Sequence, residues 1–408
     1  MRVGIFALET VAEAGGGYTI ERDIVDALAQ ESSRTRHDLF LFSFLRESDA
    51  SGLPICRIEE PEPLAGALRA ARVWKRVRSM LSGDVESGPG WSREPSWLYE
   101  GVSRSEADLV VCLSPGFFPT PDIPYFTIMW DLQHRVNPWF PEVSAGGEWI
   151  RRDRAFERTL GRASRIMVGN PVGKHQVSRF FRVPEQNIRI LPHPTPCFAL
   201  EAGESIVQSA DVLPTGGRPY LFYPAQFWPH KDHMTALRAL RILLDRGLDV
   251  RLVFCGSDKG NRSWVEAECS RLGLADDVEF EGFVRRERLV DLYRAAFALV
   301  YPSWCGPDSL PSLEAFALGC PVVAARVPGA DEQLGDAALL FDTGNEVSLA
   351  AAIQRLWSEP DLRTQLVSDG RDRALAYTPK DFAQDLLQMI DEFEPARGCW
   401  GRGASEVG

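Results

Sequence analysis

The sequence lacks the features that mark several protein classes. No stretch of its 408 residues approaches the ~20 consecutive apolar residues that a membrane-spanning helix requires. There is no excess of basic residues either, because the formal net charge is −12. Binding to nucleic acid depends on basic side chains that neutralise phosphates, so this charge disfavours a nucleic-acid partner. We therefore expect neither a transmembrane helix nor a nucleic-acid ligand.

The cysteine pattern excludes two further classes. The eight cysteines are scattered, and none forms the Cys-x-x-Cys pair typical of a zinc or redox site. Several lie in apolar, strand-like runs, which indicates reduced core thiols rather than a disulfide framework. The sequence opens on a strand pattern, Val3–Ala7, with no signal-peptide pattern before it. These features predict a cytoplasmic protein.

The pattern of hydrophobic residues indicates an α/β protein with two domains. Short β-rich runs alternate with helical patterns, as in parallel sheets, and the alternation restarts near residue 220. A length of 408 residues also suits two cores rather than one. We predict an N-terminal domain over residues 1–196, a linker over 197–217, a C-terminal domain over 218–378, a C-terminal helix over 379–394 and a flexible tail over 395–408.

The stretch from Tyr301 to Ala324 carries the clearest chemical signal. It has the pattern of a buried strand, a polar loop, a short helix and a second buried strand. Asp308, Ser309 and Leu310 fall where the helix begins, and the free backbone N–H groups of a helix N-terminus bind anions. Glu314, in the first turns, is placed to accept hydrogen bonds from sugar hydroxyls beside that anion. Phosphate next to ribose predicts a ligand that contains a nucleotide.

A second cluster follows the first strand of the second half, in the run from Phe222 to His233. The loop after a strand in a parallel sheet is where such sheets bind ligands. Lys231 supplies a compact cation suited to a diphosphate, and it would offset the negative charge that develops on a departing phosphate. In isolation the run is more typical of a surface turn fixed by aromatic side chains.

Two features of the first half are weaker. Asp131 and His134 follow the strand Tyr125–Met129, and histidine is the residue type best able to transfer a proton near neutrality. A lone histidine is more often a structural hydrogen-bonding partner. Gly15, Gly16 and Gly17 lie between the first strand and a helix, where glycines allow backbone amides to approach a phosphate, although such a turn is often only a loop.

These motifs resemble those of glycosyltransferase family 4, the retaining transferases of the GT-B fold. In that family a Glu, seven residues and a second Glu precede an Ala-x-Ala-x-Gly-x-Pro-Val run. One position departs from the pattern, since the first Glu corresponds to Gly306, which resembles a bacterial group with a Gly-Pro variant. The matching positions are Pro302, Ser303, Leu310, Pro311, Glu314, Ala315, Ala317, Gly319, Pro321 and Val322.

The resemblance implies a fold and a set of roles. The fold would be GT-B, with two Rossmann-like domains, a cleft between them and a C-terminal helix that crosses back. Lys231 matches the donor-phosphate lysine, and Gln226 stands where the family usually has an arginine. Asp131 and His134 would line the pocket for the donor sugar and acceptor. The Gly15–Gly17 loop would face the donor phosphates, and Asp331 and Glu332 match a Gly-x-x-Glu stretch.

The function that the resemblance implies is transfer of a sugar from a nucleoside-diphosphate sugar to a hydroxyl acceptor with retention of configuration, in polysaccharide or glycoconjugate biosynthesis. The chain has no Asp-x-Asp pair, with which other transferases hold a divalent cation, so we expect no metal and no other cofactor. Two alternatives remain open. One is a non-catalytic protein that binds nucleotide sugars, which Gly306 and Gln226 favour, and the other is a nucleotide-sugar epimerase.

The acceptor would be a glycan or a lipid-linked molecule. Residues 64–81 have the pattern of a basic amphipathic helix, with Arg72, Lys75, Arg76 and Arg78 on its polar side. Such a helix either rests on an anionic membrane surface or presents a solvated basic face. The first reading would make the protein peripheral at the inner face of the membrane.

Overall fold

The computed structural model describes residues 1–7, 16–43, 52–58, 96–115, 123–204, 217–306 and 309–399. The chain forms two compact units. The first contains Met1–Trp139, Val143–Pro192 and Pro379–Gly408, and the second contains Phe140–Glu142 and His193–Thr378. The short segment Phe140–Glu142 is thus grouped with the second unit, although its flanking residues belong to the first.

In the described part of the first unit, seven parallel strands form one sheet in the order β3-β2-β1-β4-β5-β6-β7. Most of these strands are continuous apolar runs because helices cover both faces of a parallel sheet. Phe6, Val110 and Phe126, for example, are fully buried. The strands are β1 (Arg2–Phe6), β2 (Asp38–Ser43), β3 (Ile55–Arg57), β4 (Leu109–Cys112), β5 (Tyr125–Met129), β6 (Arg165–Val168) and β7 (Ile188–Ile190).

The helices of the first unit include the last helix of the chain. This helix begins with Pro379, which suits the first helical position, where no N–H is needed. Its Phe393 packs edge-on against Phe126 of β5, with 5.4 Å between ring centroids. The described helices that lie wholly or partly in this unit are α1 (Gly16–Glu31), α2 (Ser96–Arg104), α3 (Gln133–Val136), α4 (Pro141–Ser144), α5 (Glu148–Leu160), α6 (Pro171–Phe181) and α15 (Pro379–Arg397).

In its described residues the second unit holds a six-stranded parallel sheet in the order β10-β9-β8-β11-β12-β13. Its strands are β8 (Tyr220–Pro224), β9 (Arg251–Cys255), β10 (Val278–Gly282), β11 (Ala298–Tyr301), β12 (Val322–Ala325) and β13 (Ala338–Phe341). Its described helices are α7 (Cys197–Glu204), α8 (His233–Asp245), α9 (Arg262–Arg271), α10 (Arg286–Ala295), α11 (Leu310–Ala317), α12 (Ala330–Leu334), α13 (Glu346–Ser358) and α14 (Pro360–Leu375).

The prediction of two Rossmann-like α/β sheets is confirmed. The sequence did not reveal β3, which is too short to show an alternating pattern. Residues 197–204, which we assigned to the linker, form α7 with Ala199 fully buried, since the polar residues there lie on the other side of the helix. The predicted helix 64–81, residues 205–216 of the linker and the end of the tail lie outside the described residues. Among the described helices, none is both long and apolar enough to cross a membrane.

Candidate functional site

The strand order of the second unit defines a binding position. From β8 the chain continues to β9 and β10 on one side, whereas β11, β12 and β13 lie on the other side. The loops that follow β8 and β11 therefore leave the sheet in neighbouring positions and diverge. Parallel sheets bind ligands at the carboxyl edge where the order reverses in this way. The loop after β8 carries Lys231, and the loop after β11 leads to α11, so the two predicted clusters share this edge.

Lys231 is held at three points. It ends the tight turn Pro229–Lys231, and its carbonyl accepts a hydrogen bond of 2.6 Å from the Tyr223 hydroxyl. Its ammonium group donates to the Tyr301 hydroxyl at 2.9 Å and lies 5.2 Å from the centre of the Tyr301 ring. Tyr301 is the last residue of β11, so the fold orients the ammonium from the neighbouring strand.

The two loops are hydrogen-bonded to each other. The Trp304 backbone N–H donates to the His230 carbonyl at 2.9 Å, and the Trp304 indole N–H donates to Asp232 Oδ2 at 2.9 Å. Asp232 also caps α8, accepting a hydrogen bond from the Thr235 N–H at 3.1 Å. Its φ of +48° is in the left-handed region, which non-glycine residues seldom adopt. The contacts to Trp304 and Thr235 hold this strained residue in place.

The N-terminus of α11 differs in one respect from our expectation. Ser309 caps the helix, and its hydroxyl accepts from the Ser312 N–H at 3.4 Å, as serine commonly does. The Ser309 N–H, which we expected to face a phosphate, instead donates to Gln333 Oε1 at 2.7 Å. Leu310 is buried, 8% exposed, and its side chain packs in the core. Asp308 lies outside the described residues.

Glu314 lies in α11 and is 9% exposed. Its Oε2 accepts a hydrogen bond of 2.7 Å from the Tyr293 hydroxyl. Burial raises the pKa of Tyr293 well above its ordinary value, and the adjacent Glu314 carboxylate raises it further, so the tyrosine remains a donor. The carboxylate is thus oriented from α10, and its role as an acceptor for ribose hydroxyls stays a prediction.

Gln226 and Gly306, the two positions that depart from the family pattern, have different local surroundings. Gln226 Oε1 accepts from the Trp228 indole N–H at 3.0 Å, so this side chain fixes the start of the Lys231 loop. Gly306 has a φ of +97°, a conformation that strains any L-residue. A glutamate at position 306 would therefore require a different path of the loop, and the glycine reflects the backbone shape as well as the loss of a carboxylate.

The predicted residues of the first unit form a separate group. A Cβ atom on Gly17 would lie 2.8 Å from the Trp130 ring, so this glycine allows α1 to approach the block that follows β5. Asp131 Oδ1 accepts from the Gln133 N–H at 2.9 Å and from Arg152 Nη1 at 3.3 Å, and its side chain is 38% exposed. Gly16 is the first residue of α1, and Gly15 lies outside the described residues.

His134 has the surroundings of a core residue. Its side chain is 0% exposed, its Nε2 lies 3.2 Å from Asp153 Oδ1, and its ring stacks on Phe156. Burial lowers the pKa of His134, and the hydrogen bond to Asp153 acts in the opposite direction. The proton-transfer role that we predicted would require the ring to become accessible. These surroundings agree with the alternative of a structural hydrogen-bonding partner.

One group of metal-type ligands occurs among the described residues, and it lies in the first unit. His37, Asp391 and Glu394 place their ligand atoms within 4.8 Å of one another. The guanidinium of Arg36 lies 2.8 Å from Asp391 Oδ1 and 2.7 Å from Glu394 Oε2. The Arg36 guanidinium therefore already pairs with both carboxylates, and we assign no metal there.

Three residues of the second unit were missed from the sequence as site residues: Tyr301, Tyr293 and Glu142. Tyr301 was recognised only as a strand residue, and its position at the strand end could have indicated a contact with the adjacent loop. Nothing in the sequence pairs Tyr293 with Glu314 or Glu142 with His230, because both pairs are formed by the tertiary fold.

A family model matches most of the second unit. Residues 207–373 match the family model described as glycosyl transferases group 1. This range contains Lys231, Gln226, Gly306, Ser309 and Glu314. The match covers the part of the chain in which the two loops meet, and it agrees with the family resemblance of the motifs.

Curated relatives match over part of the chain. The chain is 31% identical over 259 residues to a D-inositol 3-phosphate glycosyltransferase of Acidothermus cellulolyticus, which covers 60% of this chain and 57% of that relative. It is 34% identical over 163 residues to the enzyme of the same name from Corynebacterium diphtheriae, 38% of each chain. The chain therefore spans less than two thirds of the length of either relative.

Solved structures match over nearly the whole chain. A sucrose-phosphate synthase of Thermosynechococcus elongatus aligns with a TM-score of 0.67 and 18% identity, over 97% of this chain and 100% of the other. HepE of Anabaena, solved in complex with UDP-glucose, aligns with a TM-score of 0.64 and 15% identity, over 96% and 100%. At such identities the alignment establishes the fold, and the GT-B fold class predicted from the sequence is confirmed.

Proposed function

We propose that this protein is a retaining, metal-independent glycosyltransferase that moves a sugar from a nucleoside-diphosphate sugar to a hydroxyl acceptor, in polysaccharide or glycoconjugate biosynthesis. The observation that supports it most is the Lys231 ammonium, fixed by Tyr301 at the carboxyl edge where the strand order reverses. The match of residues 207–373 to glycosyl transferases group 1 supports the same reading.

The chemistry follows from the position of the charges. In same-face transfer the bond between the anomeric carbon and the diphosphate oxygen breaks while the acceptor oxygen bonds to that carbon from the same side. The departing phosphate oxygen takes the proton of the acceptor hydroxyl, so no protein base is required. Lys231 stabilises the negative charge that develops on this oxygen. Glu314, oriented by Tyr293, accepts hydrogen bonds from the ribose hydroxyls.

The relatives suggest which substrates to test first. HepE was solved with UDP-glucose, and the curated relatives are named for an inositol 3-phosphate acceptor. UDP-glucose is therefore our first donor, and inositol 3-phosphate is our first acceptor. Glycan and lipid-linked acceptors follow, because the predicted pathway is glycoconjugate assembly.

A thermal-shift screen tests donor binding. We expect one of UDP, GDP, ADP and dTDP, or its sugar, to raise the melting temperature, since a ligand that binds only the folded state stabilises it. The shift should persist in EDTA because Lys231 takes the place of a metal. It should be lost in Lys231→Ala and reduced in Glu314→Gln. A shift that required a divalent cation would contradict the metal-independent mechanism.

A product assay separates transfer from the alternatives. Incubation with donor and acceptor, followed by NMR of the product, should show a new glycoside with the anomeric configuration of the donor. An altered sugar without an acceptor would indicate an epimerase. Donor binding without any product would indicate a non-catalytic protein, which Gly306 and Gln226 favour because each replaces a polar or charged ligand of the family.

Residues 64–81, which lie outside the described residues, carry a separate part of the proposal. We propose a cytoplasmic protein whose basic segment contacts the inner face of the membrane when the acceptor is lipid-linked. Co-sedimentation with vesicles of anionic lipid should fall when Arg72, Lys75, Arg76 and Arg78 are replaced by glutamine. Equal sedimentation of the two proteins would leave the segment as a solvated basic face.

A further inference from the structure

A carboxylate from a distant part of the sequence contacts the turn that carries Lys231. Glu142 Oε1 accepts two hydrogen bonds from His230, one from the backbone N–H at 2.9 Å and one from ring Nδ1 at 2.5 Å. The Glu142 side chain is 6% exposed. Phe140, two residues earlier, packs edge-on against the His230 ring at 6.1 Å and lies 6.4 Å from the Trp304 ring.

His230 transmits this contact to Lys231 in two ways. It occupies the centre of the turn Pro229–Lys231, so its backbone orientation sets the direction in which Lys231 leaves the turn. Its carbonyl accepts the Trp304 N–H of the loop after β11. Glu142 holds the N–H side of this residue and the β11 loop holds the carbonyl side. The peptide groups that flank His230 are thereby fixed from opposite directions.

The contacts of Glu142 do not fully compensate for the free-energy cost of burying its carboxylate. Its second oxygen, Oε2, is buried, and among the described residues no other side chain or neighbouring loop supplies a hydrogen bond to it. A buried acceptor without a partner costs roughly 1–3 kcal/mol, so a purely structural role would favour an apolar residue at this position. Burial raises the pKa of Glu142, but the hydrogen bonds from His230 outweigh it, and the pKa lies below its ordinary value. The group is therefore a carboxylate at neutral pH.

We infer that Glu142 is a positioning residue for Lys231: it fixes His230, and through His230 it holds the Lys231 ammonium in the orientation that receives the donor diphosphate. The inference rests on the proposed function, because it assigns a supporting residue to the same site. Glu142 itself touches neither the diphosphate nor the reacting atoms in this scheme.

Affinities for UDP and for uridine, measured by calorimetry and ligand-detected NMR, test the inference. Uridine has the base and ribose of UDP but no phosphate, so it reports on the rest of the site. We expect Glu142→Ala to raise the Kd for UDP about tenfold and to leave that for uridine unchanged, since a displaced lysine affects only the diphosphate. If another nucleoside diphosphate stabilises the wild type instead, it and its nucleoside replace this pair.

A double-mutant cycle makes the assignment specific. In Lys231→Ala the cation is absent, so adding Glu142→Ala should cause no further loss of UDP affinity. Glu142→Gln retains an oxygen that accepts the His230 N–H, and we expect it to restore the affinity to within about threefold of wild type. Glu268→Ala, which removes a comparable carboxylate paired with Arg271 in the same unit, is the matched control and should leave UDP affinity unchanged.

The outcomes distinguish the inference from the proposed function. A wild-type protein that binds none of the nucleoside diphosphates would overturn both. UDP binding by the wild type with an unchanged Kd in Glu142→Ala would overturn the inference alone. An equal loss for UDP and uridine, or additive losses in the cycle, would also overturn it, because these are the signs of a general structural role.

Discussion

The Tyr301 hydroxyl accepts a hydrogen bond from the Lys231 ammonium and so orients it. Replacing it with phenylalanine keeps the ring, which lies against Tyr223, and removes only the oxygen. We expect Tyr301→Phe to weaken UDP binding several-fold, because the ammonium loses its acceptor and samples other rotamers. The melting temperature without ligand should change little. Calorimetry on the two proteins provides the measurement, and equal affinities would contradict the orienting role.

His233 predicts a pH dependence of stability. It is 1% exposed and stacks on Phe227 with 4.4 Å between ring centroids. Burial lowers its pKa to about 3, whereas in the unfolded chain it titrates near its ordinary value. Below that ordinary value the unfolded state binds a proton that the folded state does not, so stability falls as the pH falls. Between pH 7 and pH 5 we expect a loss of about 2 kcal/mol from this residue.

Urea unfolding at the two pH values measures this loss. His233→Gln removes the titrating group, so its free energy of unfolding should change by about 2 kcal/mol less than that of the wild type between pH 7 and pH 5. The variant itself will be less stable at pH 7, because the stacked ring is lost. The same pH dependence in both proteins would assign the effect to other groups.

At the scale of elements, the loop after β11 packs closely against the loop after β13, which contains Gly344. Gly344 has a φ of +71°, and a Cβ atom there would lie 2.4 Å from Trp304 Cζ2. Gly344→Ala must therefore move Trp304, whose backbone and indole N–H groups hold the Lys231 turn. We expect a loss of about 2–3 kcal/mol in stability and a weaker affinity for UDP.

The matched control is Gly247→Ala. Gly247 also has a positive φ, +82°, but nothing lies within 4 Å of its added Cβ. It should cost only the backbone strain, about 1 kcal/mol, and leave UDP affinity unchanged. Thermal unfolding and calorimetry of both variants isolate the contribution of Trp304. If the two substitutions have equal effects on UDP affinity, the contact between Gly344 and Trp304 does not support the site.

At the scale of the whole molecule, the last helix completes the first unit. Phe393 packs on Phe126, and the guanidinium of Arg397, a residue that is 9% exposed, donates from Nε to the Asp108 carbonyl at 3.0 Å. We expect Phe393→Ala to destabilise the first unit by about 3 kcal/mol, because it leaves a cavity against β5. UDP affinity should be unchanged, since the contacts of Phe393 lie within the first unit. Urea unfolding with a calorimetric check of UDP binding would show whether the effect is confined in this way.

The sequence by itself determined the parallel α/β architecture. Strands that are buried on both faces are continuous apolar runs, and their alternation with helical patterns can be recognised locally in the sequence. It also predicted Lys231 and Glu314 as site residues, since chemically distinctive residues that follow strands fall at the carboxyl edge of a parallel sheet. The boundaries were less certain where polar residues lie on one face of a helix, as in α7.

Only the tertiary structure decided how these groups are supported. In the tertiary structure His134 is buried beside Asp153, the Ser309 N–H donates to Gln333, and the Tyr293 hydroxyl donates to Glu314. It also joined Glu142 to His230 across 88 positions of the chain. Such contacts depend on the order and spacing of strands, and a pair of residues far apart in sequence leaves no local pattern. The chemistry of the candidate site was therefore encoded locally, whereas its orientation arose from the fold.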